Sequence, residues 1–124
     1  MKDGKHVILY VEDDADFRDS MRTVLEANGY VFVEAATGEE GVRQFKAQAP
    51  DLILLDLMME EVDTGTAIVR KLKMAGCDVP IIVASSAGDA LQMSTDYTDL
   101  GLSGVLQKPI DLDVLLRLIK SKLE

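Results

Sequence analysis

The chain carries one cysteine, Cys77, and one histidine, His6. A single cysteine excludes an internal disulfide and suits the reducing cytoplasm, and the carboxylate of Asp78 beside it argues against an activated thiol. His6 has no histidine or cysteine to share a metal with, so the usual zinc ligand sets are excluded. Basic residues are scarce, 13 against 22 acidic ones, and the net charge of -9 repels nucleic acid phosphates and anionic membrane surfaces alike. No apolar run approaches the roughly 18 residues of a membrane span, and the polar start Met1-Lys2-Asp3-Gly4-Lys5 is no signal peptide. The location expected is cytoplasmic, without membrane or direct nucleic acid contact. Internal repeats, low-complexity tracts and linkers are absent too. What is there, 124 residues of which 48% are hydrophobic, suits one compact domain over 1–124 with no room for a second, output domain.

The apolar residues fall into an alternation of strand and helix patterns. His6 to Glu12 reads as a buried strand, followed by a helix with Phe17, Met21, Val24 and Leu25 at helical spacing until Asn28-Gly29 stops it. Tyr30 to Ala35 is a second strand. Thr37 and Glu40 form a capping-box signal, and Gly41 to Ala49 carries Val42 and Phe45 on one face until Pro50. Asp51 to Asp56 is the third strand, then a loop from Leu57 to about Gly65 and a helix bearing Ile68, Leu72 and Ala75 that ends at Gly76. Val79 to Ser85 gives a fourth strand, a more polar helix runs from about Asp89 to Leu100, and Gly104 to Gln107 is a short fifth strand. Asp111 caps a last helix with Leu112, Leu115, Leu116, Ile119 and Leu123. Five strands alternating with five helices predict an α/β fold, a doubly wound parallel sheet covered on both faces, with the apolar strands one, three and four central.

Carboxylates close two of those strands. Glu12 and Asp13 end the first and Asp56 ends the third, so in a parallel sheet all three open onto one crevice, where such folds place ligands. At an effective dielectric of about 20, two unit charges about 4 Å apart repel by roughly 4 kcal/mol, which calls for a neutralising cation or proton. All-oxygen acidic sites select hard ions such as magnesium. Ser85 at the end of the fourth strand and Lys108 just after the fifth share that sheet edge. Any one of these is readable as a cap or turn residue. Together they allow phosphoryl chemistry: Asp56 as nucleophile forming an acyl phosphate, a metal and a lysine neutralising charge, and a hydroxyl donating to the transferred oxygens.

The stretches Ile8-Leu9-Tyr10-Val11-Glu12-Asp13-Asp14 with Asp16 and Arg18 after it, Pro50 to Met59, Val79 to Ser86, and Lys108-Pro109 resemble the receiver domain of two-component response regulators over essentially the whole chain. The resemblance implies a flavodoxin-like (βα)5 fold with strand order 2-1-3-4-5, that of a chemotaxis member of the family. It implies that Asp56 accepts a phosphoryl group from a sensor histidine kinase or phosphotransfer protein and so switches a surface read by a downstream effector, without turnover as an enzyme. Asp13, Asp56 and the backbone carbonyl of Met58 would bind Mg2+, with Glu12 assisting through water. Ser85, Lys108 and the backbone N–H of Ser86 would hold the phosphoryl oxygens, and Ser85 and Val105 would occupy the switch positions. Asp14 is then a helix cap or an outer contributor.

This sequence departs from the family pattern in three places. Glu60 stands where a proline is usual and Gly65 comes one residue late, the segment from Ser85 to Val105 is about one residue long, and Val105 replaces a common tyrosine or phenylalanine. Those departures keep open an alternative, a degenerate receiver that works as a phosphorylation-independent docking module. Other phosphate chemistries fit less well. Thr37-Gly38-Glu39-Glu40-Gly41 looks like a glycine-rich phosphate loop, but its glutamates repel phosphate and its lysine is missing. No dinucleotide-type glycine fingerprint follows strand one, which disfavours an FMN-binding carrier of the same topology. A haloacid-dehalogenase-like phosphatase needs an aspartate where Met58 stands.

Overall fold

A computed structural model describes residues 4–56, 64–85, 104–107 and 110–123, apart from the side chains of 56, 64–68, 85, 105 and 107. The elements run β1 (Val7–Val11), α1 (Ala15–Ala27), β2 (Val31–Ala35), α2 (Gly38–Gln48), β3 (Leu52–Asp56), α3 (Thr64–Met74), β4 (Ile81–Ser85), β5 (Gly104–Gln107) and α4 (Leu112–Leu123). The polar helix expected from Asp89 to Leu100 lies outside the described residues.

All strands are parallel in one sheet of order β2-β1-β3-β4-β5. Parallel neighbours need helical crossovers, and those crossovers bury both sheet faces. Alternate residues accordingly feed two cores. Leu9, Val11, Ile53, Leu55, Ile81 and Val83 meet α2 and α3 through Val42, Phe45, Val69 and Leu72. Ile8, Tyr10, Leu52, Leu54 and Ile82 meet α1 and α4 through Met21, Leu25, Leu115 and Ile119. Each leucine or isoleucine fully buried this way contributes roughly 1.5–3 kcal/mol, which is why these strands tolerate no polar interruption before their last residues.

The helix ends follow from local chemistry. The Asp14 carboxylate accepts the N–H groups of Asp16 (2.8 Å) and Phe17 (3.3 Å), so Asp14 is the cap of α1. Gly29, at φ 84°, lets the chain leave that helix and enter β2. Thr37 Oγ1 accepts from the Glu40 N–H at 3.1 Å, and Glu40 returns its own carboxylate to the Ala36 N–H at 3.1 Å. Asp111 Oδ1 caps α4 through the N–H groups of Asp113 and Val114.

Some expectations are corrected. Phe17 does not join the buried face of α1: it is 59% exposed, and Met21 and Leu25 are the buried positions of that helix. Helix α2 starts at Gly38, where the Thr37 cap signal puts it and three residues ahead of the apolar stretch read from Gly41. It ends at Ala49 in the left-handed region, φ 47°, a conformation usually given to glycine. Helix α3 likewise starts at Thr64, inside the segment read as loop. Gly41 touches β1 so closely that a Cβ there would lie 2.9 Å from Val11 Cγ2.

Candidate functional site at the carboxyl edge of the sheet

Register fixes what meets at this edge. Val11 pairs with Leu55, Asp56 with Ala84, Ala84 with Leu106 and Ser85 with Gln107. Glu12, one residue beyond the β1 ladder, therefore stands beside Asp56, the last residue of β3. Ser85 ends β4 next to it, and Lys108 follows Gln107 directly in the chain. With neighbouring strands about 4.8 Å apart, the row from β1 to β5 spans roughly 14 Å, and the Asp56 backbone sits inside it between β1 and β4.

Glu12 is the unusual residue of the row. Its N–H extends the ladder to the Ala35 carbonyl at 2.9 Å, which fixes the chain just past β1. It is only 2% exposed and is the one charged residue among the buried positions described. Among the described residues its Oε2 has no hydrogen-bond partner. A buried carboxylate oxygen left unpaired is costly, and a hard cation or a water bound to one would satisfy it. Next to it Asp13 is exposed to solvent. Two neighbouring carboxylates, one sunk and one open, beside the end of β3 form an oxygen donor set that fits Mg2+. Among the described residues no three His, Cys, Asp or Glu side chains gather to hold a metal. The third acid of the expected set, the Asp56 side chain, lies outside them, as do Met58, Ser86 and Lys108 and the side chains of Ser85 and Val105. The Val105 backbone pairs with Val83 on the outer strand β5.

Sequence reasoning gave Arg18 no role beyond its place in a matching stretch. Its Nη1 donates to the Glu12 carbonyl at 2.6 Å, and its Nε lies 4.0 Å from Glu34 Oε1 on β2. The signal was the separation of six residues, which places the first turn of a helix directly behind the strand end it follows.

His6 and Cys77 stay clear of this edge. His6 Nδ1 is 3.9 Å from Asp51 Oδ2 at the opposite end of β1. Cys77 is buried against the α2–α3 core, and that burial, only partly opposed by the Val79 backbone and the charge of Lys73, pushes its thiol pKa up. No described helix is long and apolar enough to cross a membrane.

Comparison with known proteins agrees with this arrangement. The family model of the response regulator receiver domain matches residues 8–120. Response regulator MprA of Mycobacterium ulcerans is 35% identical over 116 residues, 94% of this chain and 49% of that protein. MprA of Mycobacterium leprae is 36% identical, again over 94% of this chain and 50% of its own length. The chain thus spans about half the length of the curated relatives it matches. Among solved structures, a CheY-like response regulator receiver domain protein from Methanospirillum hungatei superposes with a TM-score of 0.84 at 28% identity, covering 97% of this chain and 94% of that one. A receiver domain protein from Clostridium thermocellum superposes at 0.86 with 23% identity over 95% and 94% of the two chains, which bears on the fold alone. A parallel sheet of order β2-β1-β3-β4-β5, matched by the family model from strand one into the last helix, belongs to the response regulator receiver domains of two-component signalling.

Proposed function

We propose that this chain is a phosphoacceptor switch: Asp56 takes a phosphoryl group from a sensor histidine kinase or phosphotransfer protein in a magnesium-dependent step. The backbone register that sets Asp56 beside Glu12, whose buried Oε2 has no partner among the described residues, is the observation that carries this reading. An Asp56 carboxylate oxygen attacks phosphorus as the P–N bond to the donor's imidazole breaks; the electron pair stays on that nitrogen, and with the other ring nitrogen protonated the donor histidine is left as neutral imidazole. Magnesium, when bound, neutralises charge on the group in transit. Asp13, Asp56 and the Met58 carbonyl would hold it, with Glu12 acting through water. Ser85, Lys108 and the Ser86 N–H would take up the phosphoryl oxygens, and Ser85 and Val105 would be the switch positions. The full (βα)5 arrangement, residues 1–124 as one receiver domain, a cytoplasmic setting, a downstream effector protein or domain as reader and no turnover as an enzyme complete the reading. The acidic net charge of -9 supports output through protein partners and not through nucleic acid.

Acetyl phosphate tests it. Intact-mass spectrometry should show a single phosphoryl adduct on the wild type with Mg2+ present, none with the metal chelated, and none on Asp56→Asn. An adduct on Asp56→Asn would assign the chemistry to another residue. A wild type that never takes up phosphate would favour the docking-module alternative.

A further inference from the structure

The short turn between β1 and α1 presents both Glu12 and Asp13, and its stiffness decides how well those oxygens are aimed. Two of its anchors are ordinary, the Glu12 N–H on the Ala35 carbonyl and the Asp14 cap. The third is not. Arg18 places Nη1 2.6 Å from the Glu12 carbonyl oxygen, a charge-assisted bond made by a side chain only 16% exposed. Carboxylates are plentiful nearby in sequence, at Glu12, Asp13, Asp14 and Asp16, and a simple counter-ion would settle on one of them. Among the described residues the one carboxylate within 4.0 Å of this guanidinium is instead Glu34, across on β2. Glu34 is itself held: its Oε2 accepts from Arg22 Nη2, and the Arg22 guanidinium lies 5.2 Å above the Phe32 ring. A run of contacts thus leads from Phe32 through Arg22, Glu34 and Arg18 to the backbone of the acidic turn.

We infer that Arg18 is a positioning residue for the magnesium site, tying the Glu12 carbonyl to β2 through Glu34 so that Glu12 and Asp13 are aimed before the metal arrives. The inference rests on the proposed magnesium-binding role of those two acids. Groups behind metal ligands commonly matter about tenfold or more in affinity, and here the sign of the effect separates positioning from charge. A cation standing near the site merely repels Mg2+, so its removal would tighten binding. Removing a positioning residue loosens it.

Isothermal titration with Mg2+ on the wild type, Arg18→Met, Arg18→Lys, Glu34→Gln and Asp13→Asn decides the matter, with metal-free thermal melts run in parallel. Arg18→Met should bind Mg2+ about tenfold more weakly, Arg18→Lys should recover part of the loss by donating one bond to the carbonyl, and Glu34→Gln should move in the same direction by less. Arg18→Met binding as tightly as the wild type or tighter, while Asp13→Asn loses binding, overturns the positioning role alone. A wild type whose titration is flat and unchanged by Asp13→Asn overturns the magnesium reading and the inference with it. If Arg18→Met fails to fold, Glu34→Gln probes the same tie with Arg18 in place, and an unchanged affinity there overturns the inference.

Discussion

Glu12 shows at the scale of one residue what a buried carboxylate oxygen without a partner implies for stability. Its buried Oε2 lacks a partner among the described residues, and a lone buried charge opposes folding. Glu12→Gln should therefore raise metal-free stability by about 1 kcal/mol while reducing the gain in melting temperature on adding Mg2+, measured by paired thermal melts; a metal-free midpoint that falls would contradict this account. Cys77 illustrates the opposite case. Burial holds its thiol pKa above the ordinary value, so the folded state keeps the proton that the unfolded chain releases. Its contribution to stability is whole below the unfolded thiol pKa and is lost as pH rises through the folded one. A thiol-specific disulfide reagent should react slowly with native protein at pH 8 and at once in denaturant, and equal rates would show the thiol to be accessible. The residue scale is also where the sequence was least legible. Asp56, Glu12 and Asp13 stand out because an acid ends an apolar run. Phe17 misleads, since helical spacing alone cannot tell which apolar positions end up covered, and the partner of Arg18 is a backbone oxygen, which no residue type announces.

Strands β1 and β3 were the most legible elements, because a parallel strand buried on both faces must read as an unbroken apolar run. Helix limits were less so. The capping box of Thr37 and Glu40 announced the start of α2, whereas its end at Ala49 uses a left-handed conformation without the usual glycine. That geometry yields paired predictions of opposite sign. Gly41→Ala gains helix propensity, about 1 kcal/mol, but drives a Cβ to 2.9 Å from the stiff side chain of Val11. Overpacking of this kind costs roughly 1–3 kcal/mol, so the variant should be the less stable. Ala49→Gly relieves a positive φ of 47° and should stabilise by about 0.5–1 kcal/mol. Urea denaturation of both checks the pair, and a shift of the same sign in both would show one of the two close contacts to be misjudged.

For the whole molecule, the order β2-β1-β3-β4-β5 is what sets the carboxyl ends of β1, β3 and β4 side by side. Residue patterns alone left that order open and indicated only which strands are central; the strand order itself came with the family resemblance. The same order leaves Val105 on an outer strand paired with Val83, and a β-branched valine is stiff at its first torsion and has no ring to turn. The response to phosphorylation is therefore expected to travel through residues 85–100, from the Ser85 end of β4. Amide hydrogen exchange with and without a beryllium fluoride mimic should show its largest protection changes there; changes centred on 103–107 and α4 instead would overturn this route. The sheet order bears on how the chain folds as well. β1 is made first and ends up central, yet its second ladder needs Leu52 to Leu55, and the Val7 N–H waits for the carboxylate of Asp51 at 2.7 Å. Until that length has left the ribosome, the run Val7–Val11 has only β2 beside it and one bare edge, an interval in which a growing chain is most open to wrong pairing. The strand that ends in the acidic turn is in this sense the first synthesised but not the first completed, so synthesis speed across residues 36–52 becomes a factor in how much correctly folded protein results.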